Sequence, residues 1–367
     1  MANWYSNRYE EVFTFRRLSW DSWQEHESYD FITSGSIESA TDSELKVTGS
    51  FDFEGYVLPE VNDLIRIYYS FTDDEGKTAS SPLATLFVSY ADLTFTDTTK
   101  GIKAEGTLEG SSVLSVLLEQ KIGAPKTIPK NANAVYEAEQ IIRSAGLLTN
   151  AVPAAHSLSI DHTFDAGTDL LEMVNWLLKT AGYREAYPDA NGIVQLQPSL
   201  LVVKEPTIFA NDDQSIMYPE VMRTNDWQKT PNVVRLIYNT EDACIAAFAQ
   251  NNAGSRASLA ARGGREITYF EEVSDLSGTS KANTLKEIAE QALRELSSDI
   301  EYVKFEHAYV PLAIFDPVQI QYSQMQWEGT VDNMSISLSP ATKTQTRIKR
   351  VLTENIEIHS GSVIYRG

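Results

Sequence analysis

Apolar and polar positions in the first hundred residues follow the two-residue rhythm of strands and show no 3.6-residue period. Phe13, Phe15 and Leu18 fit a first strand, and Leu45 to Phe53 a second. Leu64 to Phe71 and Leu83 to Tyr90 give two more, rich in the Ile, Val, Tyr and Phe that suit a pleated surface. Asp73-Asp74-Glu75-Gly76 between them reads as a hairpin turn. The pattern predicts a small antiparallel barrel or sandwich.

Helical spacing follows. Ser111 or Ser112 is placed to cap a helix over Val113, Leu114, Val116, Leu117 and Leu118. Residues 132–147 repeat the pattern, with Val135, Ala138, Ile141, Ile142 and Ala145 on one face, after a rigid link at Pro125 and Pro129. The clearest helix carries Leu170, Leu171, Val174, Leu177, Leu178 and Ala181, with Thr168 as expected N-cap, Asp169 in the first turn and Gly182 just past the end. Tyr187-Pro188-Asp189-Ala190-Asn191-Gly192 then turns into Ile193 to Leu196. A helix feeding a hairpin makes residues 150–205 a self-contained unit.

Beyond residue 205, Pro231 to Tyr238 is a strong strand and Ala243 to Ala249 an apolar segment, followed by an expected loop at 250–255. A second amphipathic helix spans 281–297 on Leu285, Ile288, Ala289, Ala292 and Leu296. Tyr302 to Glu306, Val318 to Tyr322, Glu328 to Leu338 and Lys343 to Val351 return to strand spacing, and 352–367 is a tail thin in core residues.

Composition narrows the function classes. The chain has 367 residues, 42% hydrophobic and 22% charged, so it is long enough for several folded domains. Its 30 basic against 51 acidic residues give a net charge of -21, which disfavours unaided nucleic-acid binding. About half of that charge falls in the first hundred residues, with 18 acidic and 7 basic. The lone Cys244 closes no internal disulfide. No apolar run approaches a membrane span, the N-terminus lacks the basic and apolar regions of a signal peptide, and synthesis in a cytoplasm is expected.

The search for chemistry finds no phosphate loop, nucleophile elbow or zinc helix signature. His156 and His162 with Asp161 and Asp165 have ligand chemistry, but a polar loop before the helix explains them as well. Asp73-Asp74-Glu75 and Asn211-Asp212-Asp213 lack the ligand series of a calcium loop. Arg262-Gly263-Gly264-Arg265 reads as an anion cradle or a tight turn, and Cys244 as an inert buried thiol. The expectation is no catalytic residue, cofactor or metal. Trp4, Tyr5, Tyr9, Trp20 and Trp23 are more aromatic surface than a small barrel readily buries. Core packing and a subunit interface are both open readings for them. Arg347, Lys349 and Arg350 form a basic strand, either an edge guarded by charge or a surface for an acidic neighbour.

Four stretches in order resemble the baseplate hub, or tail-tip hub, proteins of tailed bacteriophages. They are Leu18-Ser19-Trp20-Asp21-Ser22-Trp23 running into Leu45 to Gly49 and Asp63 to Tyr69; Leu170 to Leu178 with Ala181-Gly182-Tyr183 and its hairpin; Pro231-Asn232-Val233-Val234; and Asp316 to Ile320 with Gly329 to Leu338. The resemblance implies a mixed α+β, β-dominated fold, with two related small β-barrel domains and inserted helix-containing α/β domains. On that plan 1–105 is the first barrel, 106–149 a helical connector, 150–205 the helix-hairpin domain, 206–351 the second barrel carrying helix 281–297, and 352–367 the C-terminal tail.

The function implied is structural. A homotrimeric ring adapts a six-fold tail to a three-fold tip and surrounds the channel for tape measure and DNA. Its implied partners are itself, a distal tail or tail tube protein, a central spike or tail fibre, and the tape measure protein, with DNA only as transiting cargo. Its implied place is the virion tail, assembled in the host cytoplasm, with Trp4, Tyr5, Trp20, Trp23, Arg347, Lys349 and Arg350 as interface candidates. The competing readings are a tail-associated cell-wall hydrolase or peptidase on a hub-like scaffold, and a carbohydrate-binding surface protein.

Overall fold

The computed structural model describes residues 4–5, 8–28, 31–56, 63–153, 156–158, 161–199, 204–211, 216–225, 230–239, 243–273, 280–297, 299–339, 341–352 and 356–366. The chain forms two compact units, Met1–Glu220 with Phe305–Ile348, and Val221–Lys304 with Lys349–Gly367. It opens with β1 (Arg8–Leu18), β2 (Glu25–Ser28), β3 (Ile32–Ala40), β4 (Val47–Gly55), β5 (Leu64–Asp73), β6 (Thr78–Thr98) and β7 (Gly101–Ser112). Short elements alternate next: α1 (Ser115–Glu119), β8 (Lys126–Ile128), α2 (Ala134–Ser144), β9 (Thr149–Ala151), β10 (His162–Phe164), α3 (Leu170–Thr180), β11 (Tyr187–Pro188), β12 (Val194–Leu196) and β13 (Thr207–Ala210). The chain continues through β14 (Met217–Asn225), β15 (Val233–Asn239), β16 (Ala243–Ala253), β17 (Thr268–Glu272), α4 (Lys281–Leu296) and β18 (Asp299–Ala308). It ends with β19 (Pro317–Tyr322), β20 (Met325–Ser337), β21 (Lys343–Leu352) and β22 (Glu357–Arg366).

Among the described residues, thirteen strands share one sheet in the order β14-β18-β21-β20-β3-β4-β7-β6-β5-β1-β2, with β19 on β20 and β13 on β19. The alternation in β5 does what its sequence requires: Ile67, Tyr69 and Phe71 are buried while Arg66, Tyr68 and Ser70 face outward. The hairpin turn stands where expected, with Gly76 at φ 75° and Asp73 Oδ1 accepting from the backbone of Glu75 and Lys77. Strands far apart in sequence meet where β3 pairs antiparallel with β20, Ile37 opposite Ile336.

The helices have no separate core. Val135, Ile141 and Ile142 of α2 and Val174, Leu177 and Leu178 of α3 are buried together with Leu18, Leu64 and Phe87 of the sheet. Asn133 caps α2 by accepting from Tyr136 N (3.0 Å). Asp169, rather than Thr168, caps α3, since its carboxylate accepts from Glu172 N (2.7 Å). Gly182 follows at φ 75°, the left-handed residue that ends such a helix. The helix expected over 113–118 shortens to α1, because β7 runs on through Ser112, whose hydroxyl instead accepts from Leu114 N (3.3 Å).

In the second unit the four-stranded sheet β17-β15-β16-β22 carries α4 on one face. Leu285, Ala289 and Leu293 lie on Val234, Leu236, Ile245, Ala247 and Ala249. Strand β16 continues through Gln250 to Ala253, where the sequence suggested a loop. Its partner is the last segment of the chain: β22 pairs along all of β16, with Ile358 against the α4 core. Backbone pairing, not side-chain burial, defines this strand, so a segment thin in core residues still forms it.

The β11–β12 hairpin is fixed to the sheet by polar contacts. Thr85 Oγ1 donates to Ala190 O (2.9 Å) and Arg66 Nη2 to Asn191 O (3.0 Å). Within its turn, Asp189 Oδ1 accepts from Asn191 N (2.9 Å) and Ile193 N (3.0 Å), and Oδ2 from Gln195 Nε2 (3.1 Å). Burial raises the Asp189 carboxyl above the ordinary carboxylate range against the opposing pull of these hydrogen bonds. A folded-state pKa above the unfolded one makes the ionised group a cost at neutral pH that fades as pH falls through the folded pKa. The stability of the wild type relative to Asp189→Asn should therefore rise between about pH 7 and about pH 4, measured by urea unfolding at each pH. A relative stability that is flat over this range would contradict a desolvated carboxylate.

Candidate functional site

The aromatic N-terminus divides between two places. Trp4 lies over the sheet, its ring 5.2 Å from Phe71, 5.7 Å from Tyr309 and 6.3 Å from Tyr69. Beneath it the buried Tyr69 donates its hydroxyl to Glu11 Oε1 (2.5 Å), and Glu11 Oε2 accepts from Thr342 N (3.0 Å). Tyr5 next to it is exposed. Trp4 therefore covers a packed cluster and Tyr5 faces outward.

Trp20 and Trp23 belong to the turn between β1 and β2, closed by Trp23 N donating to Ser19 O (2.8 Å) and Ser19 N to Gln24 O (3.0 Å). Trp23 takes a left-handed backbone, φ 56°. The two indoles are 5.9 Å apart, and Trp20 is 5.1 Å from Phe87. Each lies against a glycine: a Cβ on Gly146 would come 3.3 Å from Trp20, and one on Gly192 2.9 Å from Trp23. Small residues here let the turn seat on the helices and on the β11–β12 hairpin. Trp20 keeps 38% of its surface exposed.

That exposed face opens on a groove of about 700 Å³. Its floor is Trp20, Phe87, Val116 and Ala145. Hydroxyls of Ser111 and Ser115 and the Glu119 carboxylate line it, and among the described residues these three side chains make no hydrogen bond or ion pair. The groove occupies the angle between the base of the β6–β7 hairpin and helices α1 and α2. An apolar floor with a few convergent polar groups is the form of a binding site.

The basic strand meets acids of its own chain. Arg347 Nε lies 2.7 Å from Asp332 Oδ2, and Thr41 Oγ1 donates to Asp332 Oδ1 (2.7 Å), so the buried Asp332 carboxylate is fully engaged. Arg350 Nη1 lies 3.2 Å from the buried Glu301. Lys349 between them is half-buried. A further cation that composition did not single out is Lys46, 2% exposed, donating to Thr41 O (2.7 Å) and Glu185 Oε2 (2.5 Å). It ties the β3–β4 turn to the segment after α3 and carries no pattern in the sequence, since it sits in a bend with φ 61°.

The residues with candidate chemistry lie in separate structural settings. His162 stacks on Trp176 at 3.7 Å between ring centres, and burial lowers its pKa. Asp161 Oδ1 accepts from Lys130 N (2.6 Å), bracing the loop before α3. Among the described residues no group of three or more His, Cys, Asp or Glu could hold a metal ion. Of the acidic clusters, residues 212–213 lie outside the described residues. Gly263 and Gly264 have φ of 62° and 84°, the geometry of a tight turn, and Arg262 Nη1 donates to Thr230 O (2.9 Å). Cys244 is half-buried in β16, not enclosed. Beyond Tyr90, where the sequence reading stopped the strand, β6 and β7 extend as a long ribbon with Phe95 and Ile102 exposed. Its signal was the apolar pair Leu93 and Phe95 mirrored by Ile102 and Ala104 across Thr98-Thr99-Lys100-Gly101.

Solved structures share this fold over almost the whole chain. One is a tail protein from Neisseria meningitidis MC58, 12% identical, covering 93% of this chain and 97% of that one, with a TM-score of 0.65. A second is the 43 kDa tail protein of prophage MuSo2 from Shewanella oneidensis, 11% identical over 92% and 98%, TM-score 0.63. A third is the prophage tail protein gp18 from Listeria monocytogenes EGD-e, 10% identical over 91% and 94%, TM-score 0.51. At these identities what is shared is the fold. No protein-family model matches the chain, and no curated protein matches its sequence.

The Thr41–Asp332–Arg347 group gives a direct test of what holds β20 and β21 in place. Asp332→Ala should destabilise the protein by about 3 kcal/mol, because it leaves a half-buried guanidinium and a hydroxyl without their acceptor. A urea midpoint within error of wild type would show that the pair contributes nothing.

Proposed function

We propose that the protein is a structural component of a phage tail, the central hub of the baseplate or tail tip, and not an enzyme. The observation that carries this reading is the match of fold along nearly the entire length to a tail protein from Neisseria meningitidis and a prophage tail protein from Shewanella oneidensis. A fold alone does not dictate function. The local chemistry is compatible with it: His162 stacks on Trp176, and Asp161 braces the loop before α3.

On this reading three copies form a ring whose strands from residues 1–105 and 206–351 build two related barrels per copy, six in all, around the channel for tape measure and DNA. The ring adapts the six-fold tail to the three-fold tip, bound by tail tube or distal tail proteins above and a spike or fibre below. The negative chain, -21 in net charge, suits a wall past which DNA must slide without adhering. Tyr5 and Trp20, which keep exposed aromatic surface, are the anchors of the original set best placed for a subunit seam.

Sedimentation equilibrium of the purified protein tests the central claim. A three-chain mass, with three-fold rings in negatively stained images, is the expected result. A single-chain mass at the highest attainable concentration, or release of soluble fragments from cell walls by the pure protein, would overturn it.

A further inference from the structure

The β6–β7 ribbon reaches past every neighbour in its sheet. Pairing of β5 with β6 stops at Leu64 opposite Phe87, and pairing of β4 with β7 stops at Gly55 opposite Ala104. The two strands run on together to Thr98 opposite Gly101. Opposed residues share a face. One face therefore carries Leu93, Phe95 and Ile102, with Asp97 opposite Ile102 and the buried Ala104 opposite Phe95, and the other carries Thr94, Thr96, Lys103 and Glu105. Such a pattern belongs to a ribbon with one covered side, yet Phe95 is 57% and Ile102 62% exposed. A two-stranded ribbon is marginal in water unless its apolar face is packed. Lys100 crowns the tip, and among the described residues its side chain has no partner.

The groove beside Trp20 is the complementary half. Its lining includes the apolar Trp20, Phe87 and Val116, the Ser111 and Ser115 hydroxyls, and the Glu119 carboxylate as its charged lip. The chain's own tip is out of reach. Nine residues of strand separate Ile102 from Ser111 in the groove wall, about 30 Å at strand rise. Every copy thus presents both the groove and an exposed apolar tip.

We infer that the tip of the β6–β7 ribbon of one copy, Phe95 and Ile102 with Lys100, docks in the Trp20 groove of a second copy of this chain, with Lys100 paired to Glu119. The contact joins tip to groove, so it can pass from copy to copy and close as the ring of three that the hub reading requires. The choice of a second copy rests on the opposite charges of tip and lip and on the presence of both halves in one chain. It also rests on the homotrimeric reading above, and supplies that ring with its subunit contact.

Sedimentation equilibrium and thermal melting of four proteins test it: wild type, Phe95→Ser, Lys100→Glu, and Lys100→Glu with Glu119→Lys. The expected result is association about tenfold weaker or more for Phe95→Ser, as for loss of a buried aromatic, with the melting of the single chain unchanged. Lys100→Glu should weaken assembly and the added Glu119→Lys should restore it. Independently, Ile102→Cys with Val116→Cys on a Cys244→Ser background, oxidised with copper phenanthroline, should give chains joined two and three at a time on a non-reducing gel. A trimer that forms with unchanged affinity in Phe95→Ser and yields no inter-chain disulfide would overturn this contact and leave the hub reading standing. A wild type that stays a single chain would overturn both.

Discussion

Helices α2 and α3 pack on each other, and the rest of their apolar faces needs the sheet for cover. Leu18 at the end of β1, Leu64 at the start of β5 and Phe87 in β6 fill that role, three residues from neighbouring strands that reach one cluster with Val135, Ile142, Val174 and Leu178. Burying a side chain of this size contributes about 1.5–3 kcal/mol, so the shared core is the main bond between helices and sheet in the larger unit. Polar contacts then set its register. Arg66 and Thr85 hold the backbone at Ala190 and Asn191, and Lys46 reaches Glu185. A hydrogen bond contributes little net stability, but a wrong register would strand buried donors and acceptors, which costs more. Apolar burial supplies the attraction and the polar seam decides the fit.

The groove is a consequence of that docking. Helices laid on the end of a twisted sheet meet it along a line, and the β6–β7 hairpin continues beyond the line. The space in the angle is lined by Phe87, which also belongs to the shared core, and by Trp20, whose ring lies so near Gly146 that a Cβ there would come within 3.3 Å of it. Site and core therefore depend on the same residue. The ribbon follows from the register shift between Val88 and Tyr90, which changes pairing just where β5 ends and the projecting part begins.

Local pattern carried most of the element assignments. The alternation of β5 and the helical stripes of α2 and α3 appear in the sequence because each is decided by neighbours three or four residues away. What escaped was decided at long range. The pairing of β3 with β20 spans some three hundred residues, and β22 is a strand because β16 offers it a free edge, which no property of residues 357–366 announces. Of the aromatic set, Trp20 and Trp23 stand together and Trp4 stands apart, a division that depends on where β1 leads the chain and not on composition. The basic strand shows the same limit, since the acids that meet Arg347 and Arg350 come from β20 and β18, the two strands that flank β21 in the sheet.

Net charge constrains how such chains can meet. Each carries -21, so a ring of three gathers three times that charge, and its long-range field opposes closure. That field is screened beyond about 8 Å at physiological salt, whereas burial of apolar surface acts at contact and is not screened. An interface in this protein must therefore be short-ranged and apolar at its centre, with any ion pair local enough to serve alignment rather than attraction. The exposed aromatics have that character and the acidic loops do not. Phe95 on the ribbon and Trp20 in the groove are among the large apolar side chains exposed on this acidic chain.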